Sequence, residues 1–437
     1  MNKVLIITYY WPPSGGAGVQ RWLKFVKYLR EYGWEPIIYT PENPEVPAVD
    51  LSLEKDIPKG ITVLKTKVWE PYSAYKRFVG QKKEDSIKAG FLSDKKKPSL
   101  TEKLSVWIRG NFFIPDARKF WIKPSIKFLT NYLKDSPVNA MVSTGPPHSM
   151  HLIALGVKKK IDIPWLADFR DPWTNIDFYN KLMLTKSADK KHKKLEKDVL
   201  NGADELVTVS WNWAKDFHEL GASHFNVITN GFDLEDFKNI DHKPTDKFEI
   251  VHIGSMNKDR NPVIFWESLR ELTEEDESFS KKLKLTFIGQ TDYSVFESLD
   301  NCGLTKYLEK IDYQPHDVLM ASAANASILL LPLNNTPNVN GIIPGKIFEY
   351  LALQIPIFCI GPEDGDSARI IKDCSAGIVA GFEDKQKMKS GIKQLFSGFE
   401  ANTTSRVKDM ETRNRYSRKI LTKEIANLLD QMILKKS

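Results

Sequence analysis

The opening stretch, from Lys3 to Tyr39, constrains this chain more than any other part of it. Lys3 to Thr8 is a short, unbroken apolar run, as a strand buried on both faces requires. A glycine-rich loop follows, Ser14-Gly15-Gly16-Ala17-Gly18. After it Trp22, Leu23, Val26 and Leu29 fall at helical spacing within Val19 to Tyr32. Gly33 stands where a glycine closes a helix, and Glu35 to Tyr39 reads as the next strand. Strand, glycine loop, helix and strand in that order open a doubly wound parallel sheet, so the expected class is α/β.

The same logic recurs along the chain. Strands are expected at Ala140–Ser143, Pro164–Ala167, Glu205–Val209 and Asn226–Thr229, with helices starting near His148 and running from Ala188 to Asn201. A polar stretch to about Lys247 reads as a linker. Beyond it, strands are expected at Phe248–Ile253, Leu283–Ile288, Ala326–Leu333 and Pro356–Ile360. Helices are expected from Pro262 to Leu272, from Pro344 onward, and near the end of the chain. At 437 residues the chain exceeds what one core supports, so two domains are expected, at 1–235 and 236–410. The closing helix at 411–437 can pack back on the first domain.

Charge is concentrated rather than spread. Residues 65–135 hold 17 Lys and Arg against 7 Asp and Glu, a local net of +10 in a chain of net +7. Trp69, Tyr72, Tyr75, Phe78, Phe91, Trp107, Phe112, Phe113, Phe120 and Trp121 sit among these cations. Such a basic, aromatic insertion can meet nucleic acid, an anionic membrane face or an acidic substrate, or it can be a solvated insertion with its rings in the core. No RNP or helix-turn-helix pattern accompanies it, which weighs against nucleic acid. Cys302, Cys359 and Cys374 lie far apart without metal or disulfide spacing. With no secretory leader and no run of about 18 apolar residues, a cytoplasmic location is expected.

Several residues can carry chemistry. Gly15, Gly16 and Gly18 let a phosphate or sugar hydroxyl approach the backbone ahead of a helix N-terminus. Their spacing matches neither the dinucleotide fingerprint nor a P-loop. Gly345, Lys346 and Glu349 open a predicted helix, with the lysine and glutamate on one face. The lysine suits a diphosphate and the glutamate suits ribose hydroxyls; a surface salt bridge is the plainer alternative. Asp168, Arg170 and Asp171 follow a strand end, where open sheets place their sites. They can orient an acceptor hydroxyl and steady a leaving diphosphate, or form an internal ion-pair network. His148 follows Gly145-Pro146-Pro147 and can bond a sugar or phosphate, although a lone histidine is more often structural. His151, His192 and His252 show no metal spacing.

These motifs together resemble those of the glycosyltransferase family 4 group of bacterial surface-polysaccharide enzymes. The resemblance rests on KVLIITYYWPPSGGAGVQR, STGPPHS, TNGFD, HIGS with Arg260 downstream, and PGKIFEYLALQIPIF, and it spans nearly the whole chain. It implies the GT-B architecture, two Rossmann-like domains facing each other across a cleft. It also implies that Lys346 and Arg260 meet the donor diphosphate beside Gly254, that Glu349 binds the ribose, and that Gly15 and Gly16 approach the donor across the cleft. The family often shows a second glutamate eight residues before this one, where the chain has Gly341. Backbone around Asn340 to Ile343 would then contact the sugar.

The implied activity is hexosyl transfer from a nucleotide sugar to a saccharide or lipid-linked acceptor, with retention of configuration and without metal or other cofactor. The basic stretch suggests peripheral contact with an anionic inner membrane face, and no nucleic-acid partner is expected. A nucleotide-sugar epimerase on the same plan, or a binding subunit without turnover, are the alternatives.

Overall fold

The computed structural model describes residues 1–46, 48–70, 100–176, 178–223, 225–238, 240, 245–312, 314, 316–401 and 410–436. Tyr72, Tyr75, Phe78 and Phe91, read above as part of the basic stretch, lie outside them. The chain divides into two compact units, Met1–Thr229 with Leu421–Ser437, and Asn230–Ile420.

The first unit begins with β1 (Asn2–Ile7), α1 (Ala17–Leu29), β2 (Trp34–Pro41) and β3 (Thr62–Thr66). It continues through α2 (Leu100–Phe112), α3 (Lys119–Asp135), β4 (Ala140–Gly145), α4 (Ser149–Lys158) and β5 (Trp165–Phe169). Then come α5 (Lys186–Gly202), β6 (Glu205–Thr208), α6 (Trp211–Glu219) and β7 (Asn226–Val227). The described strands form one sheet in the order β3-β2-β1-β4-β5-β6-β7, every pair parallel.

The second unit runs β8 (Phe248–Ile253), α7 (Val263–Glu275), α8 (Glu277–Lys282), β9 (Leu283–Ile288), α9 (Tyr293–Asn301) and β10 (Leu308–Ile311). After these come α10 (His316–Ala323), β11 (Ile328–Pro332), α11 (Lys346–Leu353), β12 (Ile357–Ile360), α12 (Asp366–Asp373) and β13 (Gly377–Ala380). It closes with α13 (Lys385–Glu400) and α14 (Met410–Asn414), and α15 (Arg418–Leu434) ends the fold. Its sheet order is β10-β9-β8-β11-β12-β13, again parallel throughout. Both units are therefore Rossmann-like. Each reverses its strand order once, between β1 and β4 and between β8 and β11, and the crevice at such a reversal is where open α/β sheets take ligands.

Burial explains why the central strands were legible and the edge strands β3 and β10 were not. Val4 to Ile7 and Ile328 to Leu331 are buried as unbroken runs. The edge strands β3 and β10 are short, polar and half-exposed, so no apolar run announces them. The basic stretch itself contributes to the fold. Its α3 is the cover between β3 and β4, with Trp121, Leu129 and Leu133 in the core and Tyr39 stacked on Trp121 at 5.0 Å. Its rings therefore divide, with Trp121 inside and Trp69, Trp107, Phe112 and Phe120 exposed.

Leu421, Ile425, Ala426, Leu429 and Met432 of α15 sit in one cluster with Val4, Ile6, Trp34 and Val142. Trp34 donates its indole N–H to Asp430 at 3.0 Å, and Lys435 pairs with Glu205 at 2.7 Å. The three cysteines are buried and none is in a disulfide. Among the described residues no helix is long and apolar enough to cross a membrane.

Candidate functional site

In the second unit the residues singled out in sequence converge at the end of β8. That strand leads into Gly254, whose φ of 87° lies in the left-handed region. Lys346, the first residue of α11, brings its ammonium against this glycine. A β-carbon on Gly254 would stand 2.6 Å from Nζ. Lys346 makes no ion pair among the described residues, and Arg260 is close enough to repel it. Burial and the Arg260 charge pull its pKa down to about 7, while Glu349 pushes it up.

Arg260 is fixed rather than loose. It donates from Nε to Asn334 Oδ1 at 2.7 Å and from Nη1 to the Ser255 carbonyl at 3.1 Å. Burial lowers its pKa. Tyr350 ties α11 to β8, its hydroxyl accepting the Ile253 N–H at 3.3 Å. Glu349 lies one turn along α11 from Lys346 and, like it, is half-buried. Gly345 precedes the helix in helical backbone and is exposed.

His252 lies beside this group, and sequence reading gave it no role. It is buried on β8 and donates from Nδ1 to the Leu330 carbonyl at 3.1 Å, which leaves Nε2 as an acceptor without a hydrogen-bond partner among the described residues. Burial, Lys346 and Arg260 hold its pKa at about 3, so it stays neutral. Two cations and the N-terminus of α11 thus gather where the strand order reverses, a set that suits an anion, while the neutral imidazole beside them presents only an acceptor. The signal for His252 was present in the alternation Phe248, Ile250, His252 on one strand face, but the cations it serves lie elsewhere in the chain.

The first unit has its own cluster at the β1–β4 reversal. Asp168, at the end of β5, is fully buried. It accepts three contacts from Arg21 at 2.9–3.2 Å, one from the Trp22 indole at 2.7 Å and one from Thr144 at 2.9 Å. Burial raises its pKa, but Arg21 and these hydrogen bonds outweigh it and hold the carboxyl below the usual range. Arg21 also donates to the carbonyls of Thr229 and Ile228, each at 2.8 Å. Of the two roles open to Asp168, this is the internal ion pair. It anchors α1 to β5 and has no acceptor left over for a substrate. Arg21, Trp22 and Thr144 were missed because their common partner is far away in sequence.

Arg170 spans the reversal. It donates to the Gly18 carbonyl at 3.0 Å and to the Pro146 carbonyl, which braces the glycine loop against the Gly145-Pro146-Pro147 loop. Burial lowers its pKa, and Asp171, half-buried beside it, raises it. Gly15 gives its N–H to the Ala48 carbonyl at 2.8 Å, so this amide is not offered to a ligand. Gly16 caps α1 with φ of 95°. His148 stands at the start of α4, buried and stacked on Trp173 at 4.6 Å. Burial, then His151 and Arg170, push its pKa well down, and its Nδ1 has no hydrogen-bond partner among the described residues. His151 bonds Ser143 at 2.8 Å and stacks on Phe169, a packing role. Asp116, another residue not anticipated, caps α4 by accepting the Ser149 N–H and hydroxyl at 2.9 and 2.8 Å.

A comparison with models of protein families gives no match, and one with curated proteins gives none. Solved structures do match over the whole chain. A glycosyltransferase from Rickettsia africae superposes with a TM-score of 0.62 at 15% identity, covering 100% of this chain and 99% of that one. A sucrose-phosphate synthase from Thermosynechococcus elongatus gives 0.59 at 11% identity, covering 100% of both chains. A UDP-forming α,α-trehalose-phosphate synthase from Burkholderia xenovorans, in complex with glucose-6-phosphate, gives 0.58 at 10%, covering 98% of this chain and 100% of that one. At such identities the likeness shows the fold, and that fold is GT-B.

Proposed function

We propose that this protein is a glycosyltransferase that moves a sugar from a nucleotide-sugar donor to a saccharide or lipid-linked acceptor. The observation that carries the reading is Lys346, an ammonium with no ion pair among the described residues, set against Gly254 beside Arg260. Breaking a sugar–phosphate bond places negative charge on the departing diphosphate. Preorganised cations and helix-terminal N–H groups stabilise that charge more in the transition state than in the ground state.

In this reading Lys346 and Arg260 take the diphosphate and the N-terminus of α11 adds its N–H groups. Glu349, on the same face as Lys346, accepts from the ribose hydroxyls. Because these groups already supply positive charge, the reaction needs no divalent ion. The acceptor belongs to the first unit. There Arg170 holds the two loops of the β1–β4 reversal in place, and His148, kept neutral by burial, offers an uncharged hydrogen-bonding ring. Transfer with retention, the acceptor attacking from the leaving-group face, needs no protein nucleophile. That mechanism and a role in surface-polysaccharide assembly extend the family 4 resemblance.

Thermal stability of the purified protein against a panel of nucleotides and nucleotide sugars, in chelator, tests the donor site. A donor at about 100 times its dissociation constant adds roughly 2.7 kcal/mol. The expected result is a shift selective for one nucleotide sugar and lost in Glu349→Ala. Incubation with that donor then separates the alternatives. Release of the nucleotide only when an acceptor is added supports transfer, whereas a sugar altered without an acceptor indicates an epimerase. No shift with any donor would leave a binding subunit.

A further inference from the structure

The first unit carries a cleft of about 360 Å³ between α5, α6 and the segment that follows β5, a size that small-molecule sites share. The segment supplies Asn175 and Tyr179, α5 supplies Asp189 and Lys193, and α6 supplies Asp216 and Glu219. Its polar groups are already ordered by one another. Tyr179 donates its hydroxyl to Asp189 Oδ1 at 3.0 Å, and Lys193, one turn along α5, meets Oδ2 of the same carboxylate at 2.9 Å. Asn175 donates to Asp216 Oδ2 at 3.0 Å. The segment itself is pinned from within. The buried Trp173 donates its indole N–H to His192 Nδ1 at 3.1 Å, and the Tyr179 ring meets that imidazole edge to face at 5.9 Å.

These bonds leave capacity on both sides of the hydrogen-bond ledger. The Tyr179 oxygen can still accept, Asn175 keeps a second N–H and its carbonyl oxygen, and Lys193 keeps further N–H groups. Exposed Asn180 and Glu219 add an amide and a carboxylate, and Leu220, 38% exposed, adds an apolar edge. Three carboxylates line the cleft against the one ammonium of Lys193, so an anion is repelled. A metal ion finds little to take, because Asp189 and Asp216 already accept from Tyr179, Lys193 and Asn175. A neutral polyol fits. Its hydroxyls donate to carboxylates and accept from amides, and the C–H face of its ring can cover Leu220.

We propose that this cleft binds a neutral sugar unit and serves as a second subsite for the acceptor. Thr174, which also lines it, directly follows Trp173, and Trp173 stacks on His148 at 4.6 Å. A saccharide chain running over Trp173 therefore reaches both places. Binding of a neutral sugar follows from the chemistry of the cleft alone. Its place in the acceptor site rests on the transferase reading, and the two together make the acceptor an uncharged oligosaccharide rather than a single sugar.

Saturation-transfer NMR of the full chain tests it, with maltotriose, cellotriose and N-acetylchitotriose as neutral probes and glucose 6-phosphate as an anionic competitor. At least one neutral probe is expected to bind, and glucose 6-phosphate is expected not to displace it. Asn175→Ala and Glu219→Ala should each weaken that binding by about tenfold, and Leu220→Trp should fill the cleft and abolish it. Glu219 and Leu220 are exposed, so these two variants keep the test open if Asn175→Ala does not fold, and unfolding midpoints check all three. Binding of none of the neutral probes, equal binding by the folded variants, or displacement by glucose 6-phosphate would overturn the proposal. A donor thermal shift without saccharide binding removes this inference alone. Saccharide binding without any donor shift supports the cleft as a sugar site and removes the transferase reading instead.

Discussion

The ammonium of Lys346 occupies the space that a side chain on Gly254 would need, a β-carbon there standing 2.6 Å from Nζ and 2.8 Å from Cε. Two residues far apart in sequence thereby share one small volume at the mouth of the second sheet. The glycine is needed twice, for its left-handed backbone and for the room it leaves a cation.

Gly254→Ala therefore acts on the site more than on the fold. The left-handed φ costs about 1–2 kcal/mol for a residue with a β-carbon, a tolerable loss. The methyl group also pushes Nζ out of its place, because a lysine tip yields more readily than backbone. The expected outcome is a folded protein with slightly lowered Tm and no nucleotide-sugar thermal shift. A variant that bound donor normally would show that the ammonium need not sit there.

Lys346 makes donor binding depend on pH. Its pKa near 7 in the free protein, set by burial and by Arg260, would rise once a diphosphate lies beside it. Below pH 7 the lysine is already charged, so binding takes up no proton. Near pH 8 the free lysine is mostly neutral and the bound one charged, so binding takes up close to one proton and affinity falls with rising pH. A nucleotide sugar is the right probe, because its diester phosphates do not titrate in this window. Calorimetry in buffers of different ionisation enthalpy should find this uptake, and Lys346→Met should abolish it. The ligand-free fold has the matching dependence. The unfolded lysine binds its proton up to about 10.4, so the cost of the buried charge is full below 7 and is relieved as pH climbs between the two values.

The pair Arg21–Asp168 separates anchoring from chemistry. Asp168→Ala would take from the buried Arg21 guanidinium the carboxylate it meets at 2.9 Å, while its bonds to the Thr229 and Ile228 carbonyls remain. Breaking one partner of such a pair costs about 3–5 kcal/mol. Denaturant unfolding should reveal that loss, and replacing the carboxylate should not yield a stable but inactive enzyme. Full stability in Asp168→Ala would reopen a direct role for this carboxylate.

How much of this was legible beforehand followed physical lines. Lys3 to Thr8 and Phe248 to Ile253 announced central strands because strands covered on both faces need unbroken apolar runs. Thr62–Thr66 and Leu308–Ile311, two edge strands, carry no such run and were invisible. Lys346, Glu349 and Gly254 were legible as short motifs next to predicted strand ends. Arg21 and His252 were not, because a buried ion pair and a neutral imidazole take their meaning from partners that only the fold supplies. The exposed rings of α2 were legible as aromatic and basic, but their orientation depended on Gly110 lying against Leu182.

Leu429 offers a test of how the first unit is completed. It is fully buried on α15, in a cluster with Val4, Ile6 and Trp34 of the central strands, though it lies near the far end of the sequence. Burying such a side chain contributes about 1.5–3 kcal/mol, and a cavity adds to the loss when it is removed. Leu429→Ala should therefore destabilise the protein by about 2–5 kcal/mol, whereas Lys423→Ala on the exposed face of the same helix should stay within about 0.5 kcal/mol. Because the cluster involves β1 and β2 and not β8, the unfolding that shifts should be that of the unit holding Trp34. Its indole fluorescence, isolated by comparison with Trp34→Phe, should report the lowered midpoint. If Leu429→Ala matched Lys423→Ala, α15 would not be part of this core in solution, and the first unit would have to close its sheet without it.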